Sequence, residues 1–262
     1  MNRISRLYVA AVLAVLPQQA IAQAQFAGNW QIDIRTIDYP AKPVTYSFRD
    51  GMYECKTCAT KIHVKADGKD QKIEGNPYAD TLAVKIIDKN NLEMTAKKGG
   101  KVVSKHKAVV SVDTNSMMLD YAETAPNGET VKGAISYART TYDKTAPHLM
   151  SGSWKAIKAE KRSDNGLKLA YKVEGKSLSY SAPTGESYKA EIGGPDAPFA
   201  GDPGINAVSV KLVKNTLEET FKLDGKTVVT RSTNIKPDGK SAKVDWIDYR
   251  TRTNGNHVIV KH

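Results

Sequence analysis

The chain spells the same opening twice, and this repetition constrains its fold more than any other feature. The segment "QFAGNWQIDI" starts at Gln25, and "LMSGSWKAIK" starts at Leu149. Each segment places a Gly-x-Trp motif directly before a run that is typical of a β-strand. Two structural units that begin in the same way are therefore predicted.

Later parts of the two units also align in the same order. "GNPYADTLAVK" from Gly75 matches "GDPGINAVSVK" from Gly201, and "NLEMTAKKGGKVV" from Asn91 matches "TLEETFKLDGKTVV" from Thr216. These matches indicate a tandem duplication, with units at 26–140 and 150–262. The linker "TTYDKTAPH" is polar and contains proline, as is common at domain boundaries.

Alternation of apolar and polar residues is frequent, whereas helical periodicity over three turns is missing after the N-terminal segment. Dipeptides that favour tight hairpins, such as Asp50-Gly51 and Asp224-Gly225, separate the alternating runs. The pattern predicts an all-β protein of two tandem antiparallel up-and-down barrels. A single continuous sheet shared by both units is the alternative.

The repeated opening resembles the first motif of lipocalin-like (calycin) barrels. The chain is also similar to a group of secreted bacterial proteins with paired units of this kind, on "GxW", "GNPYADT" and "KKGGKVV". The resemblance implies that each Trp closes a barrel floor beneath a basic residue from the last strand, a cation–π contact. The predicted floor residues are Gly28, Trp30 and Arg139 in the first unit, and Gly152, Trp154 and Lys261 in the second.

Residues 1–22 are expected to form a cleaved signal peptide. Arg3 and Arg6 precede an apolar run that is too short to span a membrane, and Ala20-Ile21-Ala22 offers a cleavage site. The mature chain is therefore expected to be periplasmic or secreted, without a transmembrane segment. Residues 23–144 would form the first barrel with its linker, and residues 145–262 the second.

The net charge of +11 is spread along the chain as lysines on strand-like segments. This distribution favours solvated strand faces over a nucleic-acid groove, which would concentrate arginines and aromatic residues. Contact with an anionic envelope surface remains compatible with it, because such contact needs only diffuse charge.

Cys55 and Cys58 form a C-x-x-C motif that the second unit lacks. We expect a local disulfide that fixes a loop at a barrel rim, which an oxidising compartment permits. A metal site, free thiols and redox exchange are the alternatives. Haem attachment is not expected, because Ala59 stands where that motif requires histidine.

Small barrels can enclose one apolar or amphipathic molecule, so a binding protein is the first functional expectation. The candidate ligand contacts are Tyr46, Tyr53 and Tyr78, together with Phe199 on a Gly/Pro-rich segment that we interpret as a possible lid. The alternative is an envelope or interaction protein with filled barrels.

An enzyme, such as a calycin-type isomerase or cyclase, is the least favoured expectation. The sequence contains no G-x-S-x-G, H-E-x-x-H or phosphate-loop motif, and its histidines share no spacing. We accordingly predict no catalytic residue, no metal site and no cofactor.

Overall fold

A computed structural model gives the fold and describes residues 23–262. The predicted signal peptide, residues 1–22, lies outside the described residues. Regular structure in the described part consists almost entirely of strands, with a short 3-10 helix at Asp164–Gly166. In this same part of the chain, no helix is long and apolar enough to cross a membrane.

The strands of the first half of the chain are β1 (Gly28–Asp38), β2 (Val44–Arg49), β3 (Met52–Cys55), β4 (Ile62–Lys65), β5 (Gln71–Lys72), β6 (Thr81–Ile86), β7 (Asn91–Lys98), β8 (Lys101–Val110), β9 (Ser116–Thr124) and β10 (Thr130–Tyr142). Those of the second half are β11 (Gly152–Arg162), β12 (Lys168–Glu174), β13 (Ser177–Ser181), β14 (Ser187–Glu191), β15 (Ala197–Ala200), β16 (Ala207–Val213), β17 (Thr216–Leu223), β18 (Lys226–Ile235), β19 (Ser241–Asp248) and β20 (Thr253–Lys261).

These strands form two antiparallel ten-stranded sheets. One is a closed barrel in the order β1-β12-β13-β14-β15-β16-β17-β18-β19-β20, which we call the C-terminal barrel. The other, in the order β4-β3-β2-β11-β10-β9-β8-β7-β6-β5, is the N-terminal barrel. It is nearly closed, because the Gly68 amide donates to the Val84 carbonyl at 2.8 Å across the gap between its edges. The predicted all-β architecture of two antiparallel barrels is confirmed.

The hairpin turns follow from local sequence. Asp50 and Gly51 both have positive φ, 51° and 71°, between β2 and β3. Asp224 and Gly225 repeat this geometry, at 49° and 77°, between β17 and β18. Two consecutive positive φ angles match the twist of the flanking strands, which explains why Asp-Gly pairs recur at these positions.

The two Trp-bearing strands are exchanged between the units. Strand β1 lies between β20 and β12, so it completes the C-terminal barrel. Strand β11 lies between β10 and β2, so it completes the N-terminal barrel. The N-terminal barrel is therefore the continuous segment 44–162, and the predicted division into residues 23–144 and 145–262 is corrected accordingly.

Each Trp closes the floor of the barrel that receives it. The indole nitrogens of Trp30 and Trp154 each donate to a backbone carbonyl four residues earlier, at 2.8 Å. The Arg139 guanidinium lies 4.0 Å from the Trp154 ring centroid, and the Lys261 ammonium lies 5.1 Å from that of Trp30. The predicted partners, Arg139 with Trp30 and Lys261 with Trp154, were wrong, because the strand exchange reverses the pairing.

The ends opposite the two floors, which we call the mouths, face each other. Tyr78, on a mouth loop of the N-terminal barrel, accepts a hydrogen bond from Arg250 of the C-terminal barrel at 3.2 Å and packs over Gly204. Asn127 donates to the carbonyl of Pro183 at 2.9 Å on another pair of mouth loops. Residues 39–43 and 163–167 connect one mouth to the other, so the chain crosses twice at this junction.

Candidate functional site

The interior of the C-terminal barrel carries a continuous row of aromatic side chains. Tyr171, Tyr180 and Tyr188 are direct neighbours across β12, β13 and β14, and Phe199 follows on β15. Successive ring centroids along this row lie 5.4, 5.5 and 6.1 Å apart. Phe221 extends the row by an edge contact with Phe199 at 5.5 Å.

A buried ion pair meets this aromatic row. Arg231 donates two hydrogen bonds of 2.6 Å to the carboxylate of Glu219, whose side chain has no exposed surface. The phenols of Tyr188 and Tyr171 donate to the same carboxylate at 2.5 and 3.3 Å. Burial alone would lower the pKa of Arg231, but its contacts with Glu219 and the tyrosines raise the pKa well above its ordinary value.

These contacts cross the full width of the C-terminal barrel. Four strands separate β12 from β17 in either direction around the ring, so Tyr171 and Glu219 start from opposite walls. Their side chains nevertheless meet at 3.3 Å, and the Arg231 guanidinium lies 4.9 Å from the ring centroid of Tyr180 on the wall opposite it. Side chains therefore fill the middle of this barrel.

The N-terminal barrel has smaller side chains at several of the corresponding positions, including Cys55 for Tyr180 and Ala96 for Phe221. Tyr46, Cys55 and Ile62 are direct neighbours across β2, β3 and β4, in the register that Tyr171, Tyr180 and Tyr188 occupy in the other barrel. The same β-bulge follows Ala96 in β7 and Phe221 in β17. That common bulge places Met94, Ala96 and His106 where the C-terminal barrel has Glu219, Phe221 and Arg231.

Polar side chains take up part of the inner face of the N-terminal barrel. His106 and Tyr121 are direct neighbours, as are Ser104 and Glu123, and the buried Met117 and Leu119 fix this face of β9 as the inner one. The His106 ring nitrogen lies 3.0 Å from the Ser104 hydroxyl and 3.5 Å from the Glu123 carboxylate. The Glu123 side chain, near the mouth end of β9, is 57% exposed although it points inward, so solvent reaches this inner face at the mouth.

The strand exchange adds an arginine to this polar face. Arg162 pairs with Gly133 on the inner face, and its guanidinium lies 3.5 Å from the Tyr121 hydroxyl. Its Nε donates to the carbonyl of Gly166 at 2.8 Å, which holds the side chain over the mouth. Within residues 23–262, Arg162 has no carboxylate partner at salt-bridge distance.

Two further titratable groups have pKa values that the charge of Arg162 influences. They are Tyr39, in the first crossover, and His257, on the inner face of β20. Burial raises the pKa of Tyr39 to about 12 and lowers the pKa of His257 to about 4. The hydrogen bond from His106 lowers the pKa of Glu123. The charge of Arg162 is a further influence on all three pKa values.

The surrounding phenols stay neutral near pH 7. Burial is the main reason why the pKa of Tyr137 rises to about 12, and burial also raises the pKa of Tyr121. Neutral phenols can donate hydrogen bonds, and the guanidinium supplies a fixed positive charge. We call Tyr39, His106, Tyr121, Glu123, Tyr137 and Arg162 the junction cluster.

The four predicted ligand contacts lie at different places in the structure. Tyr46 and Tyr53 stack at 6.1 Å inside the N-terminal barrel, where burial raises the pKa of both. Tyr78 is 41% exposed and lies between the mouths, bonded to Arg250. Phe199 is buried on β15 in the core of the C-terminal barrel, so the prediction of a lid was wrong.

The predicted disulfide between Cys55 and Cys58 is present, with the two Cα atoms 5.6 Å apart. Cys55 ends β3, and Cys58 lies in the loop 56–61 at the mouth of the N-terminal barrel. Thr60 in this loop donates to the carbonyl of Gly75 at 3.3 Å, on the far side of the gap between β4 and β5. The disulfide therefore holds the rim at the barrel's unsealed edge.

Sequence reasoning missed the junction cluster, although part of its signal was present. His106 precedes the buried Ala108 and Val110 by two and four residues, so alternation along β8 places it on the inner face. Arg162 gives no such signal, because register shifts interrupt the pairing of β11 with β10.

A groove with a volume of about 660 Å³ lies beside the second crossover. It is bordered by the exposed side chains of Asn29, Asp164, Lys168 and His262 and is widely open to solvent. It lacks the buried polar contacts that orient a ligand in a specific site. The junction cluster is therefore the stronger candidate.

Fold and site together define an all-β protein with two barrels, one filled and the other lined by an open polar face at its mouth. No protein-family model matches the chain, and no curated protein matches it.

Proposed function

We propose that the protein is an extracytoplasmic binding protein that holds a small amphipathic molecule in the mouth half of the N-terminal barrel. The observation that carries this proposal is the contrast between the interiors of the two barrels. Side chains that cross the C-terminal barrel bury Glu219 completely, and Asp248, which matches Glu123 in the repeat, keeps 18% of its side chain exposed. The inward-facing Glu123 keeps 57%. An inner face that solvent reaches can also admit a ligand.

The chemistry of the two ends of the N-terminal barrel supports an amphipathic ligand. Apolar side chains pack above the Trp154 floor, among them Phe48, Met94 and Met117. The junction cluster lies towards the mouth and supplies phenols, an imidazole and a guanidinium. An apolar part of the ligand would be placed towards the floor, with its polar group at the junction.

The extracytoplasmic location rests on two supports. Residues 1–22 have the character of a signal peptide, and a disulfide at the barrel rim is stable in an oxidising compartment. We also propose that the two units arose by duplication within a lipocalin-like lineage. The matched indole hydrogen bonds of Trp30 and Trp154 and the shared bulge after Ala96 and Phe221 support this origin.

Native mass spectrometry of the protein purified from its own host tests the proposal, since a bound molecule adds its mass to that of the chain. The variant Ala96→Phe places inside the N-terminal barrel the residue that fills the matched position of the other barrel. We expect it to lose the bound mass. The control Thr95→Phe adds the same ring on the outer face and should retain it. A wild-type protein that carries no ligand and binds no amphipathic probe in titrations would contradict the proposal.

A further inference from the structure

We propose that the ligand of the N-terminal barrel is an organic anion whose acidic group contacts Arg162, with the Tyr121 hydroxyl beside it. This inference rests on the proposed function and adds the chemical class of the ligand. It also makes the binding site depend on the strand exchange, because Arg162 ends β11, the strand that completes the N-terminal barrel.

The first support is the charge balance of the junction cluster. Glu123 is turned towards His106 at 3.5 Å, and its separation from Arg162 exceeds salt-bridge distance. The contacts of Arg162 in the described chain are the neutral Tyr121 hydroxyl and the Gly166 carbonyl. A guanidinium has five N–H donors, so most of its hydrogen-bonding capacity remains for a ligand. Carboxylate and phosphate groups match this donor geometry, and a sulfonate offers similarly placed anionic oxygens.

The second support is that Arg162 is held in position before any ligand arrives. The backbone approaches so closely at Gly166 that an added Cβ would lie 2.8 Å from Arg162 Nε and 2.5 Å from a Val131 methyl group. Gly133, the cross-strand partner of Arg162, likewise leaves no space for a Cβ beside the Tyr121 ring. A side chain that is already ordered loses little entropy on binding, so the site is preorganised for an anion.

Anilinonaphthalene sulfonate and N-phenylnaphthylamine are suitable probes, because they share the same aromatic body and only the former carries a negative charge. Fluorescence titration of the full chain should show tighter binding of the sulfonate. Arg162→Gln should weaken binding of the sulfonate about tenfold more than binding of the neutral amine, which corresponds to about 1.4 kcal/mol. Arg35→Gln is the matched control: Arg35 is exposed and pairs with Asp33, so neither affinity should change.

Each outcome of these titrations has a definite meaning. Equal affinities for both probes, with Arg162→Gln affecting both alike, would overturn the anion inference and leave the proposed function intact. Failure of the wild-type protein to bind either probe would overturn both. If Arg162→Gln does not fold, Tyr121→Phe gives the readout, since loss of the hydroxyl beside Arg162 should still reduce the preference for the sulfonate. An unchanged preference in that variant would count against the inference.

Discussion

The exchange of β1 and β11 can be tested by engineered disulfides. Thr45 on β2 and Ser153 on β11 are direct cross-strand partners, and their hydroxyl oxygens lie 2.9 Å apart. The pair Thr45→Cys/Ser153→Cys should therefore oxidise without backbone movement. In a barrel without strand exchange, Asn29 would occupy the place of Ser153, because the two residues match in the repeat.

The expected gain in stability follows from the length of chain that this disulfide closes. Residues 45 and 153 bound a loop on the order of a hundred residues, and constraining such a loop in the unfolded chain is worth about 5 kcal/mol. Chemical denaturation with and without reductant measures this difference, with the wild-type protein treated identically to account for Cys55–Cys58. Thiol counting and peptide mapping establish which cysteines are joined.

The matched control for this experiment is Asn29→Cys/Thr45→Cys. Asn29 pairs with Ala170 in the C-terminal barrel, so these two cysteines lie in different barrels and should remain reduced. If this control pair oxidised while the Thr45/Ser153 pair stayed reduced, β1 would lie beside β2 and the exchanged topology would be refuted.

Three further predictions concern buried groups and the rim. Arg231→Met should destabilise the protein by about 3–5 kcal/mol, because it leaves the buried Glu219 carboxylate without its cation. The double variant Glu219→Met/Arg231→Met should cost much less. A double-mutant cycle in urea measures the coupling between the two residues, and additive costs would contradict the prediction. The pKa of His257, about 4 when folded and about 6.5 when unfolded, implies that the unfolded chain binds the proton first, so stability should fall by up to about 3 kcal/mol as the pH drops from about 6.5 to about 4. His257→Gln should flatten that segment of the pH–stability curve, and a curve that keeps its slope would assign it to other groups. Replacing Cys55 and Cys58 by serine should cost no more than about 2 kcal/mol, because the closed loop is short, but should speed amide exchange in residues 56–61; unchanged exchange there would contradict a role in holding the rim.

Local sequence was sufficient to predict the barrels and their floors. Asp-Gly pairs determine where hairpins turn, and each Gly-x-Trp motif places an indole beneath a basic side chain. Local sequence was not sufficient to predict which floor receives which Trp. Both indoles donate to a carbonyl four residues earlier at 2.8 Å, so exchanged and unexchanged pairings offer almost the same contacts. The choice depends on the paths that the crossovers 39–43 and 163–167 take in space. Alternation of residues along a strand does not determine those paths.

The junction cluster was harder to predict for a related reason. Its members come from distant parts of the chain, and they approach one another only because the two mouths meet. Inward-facing positions on β11 are Trp154, Ala156, Ala159 and Arg162, and their spacing departs from the strict alternation of a regular strand because of the bulges against β10. A sequence-based reading therefore places Arg162 with the many exposed basic residues of the strands and overlooks it.

Comparison of the two units distinguishes residues that maintain the barrel fold from residues that determine what the barrel interior can bind. Positions that agree, such as the Gly-x-Trp openings and the bulge after Ala96 and Phe221, maintain the barrel in both units. Positions that differ alter the interior: where the C-terminal barrel pairs Glu219 with Arg231 on adjacent strands, the N-terminal barrel has Met94 and His106. The buried ion pair is fully satisfied by its own barrel and leaves little for a ligand to bind. Met94 and His106 form no such pair, and the inner face beside them is open to the junction. A ligand site is therefore expected in the barrel that departs from the filled pattern, at the end where both crossovers pass.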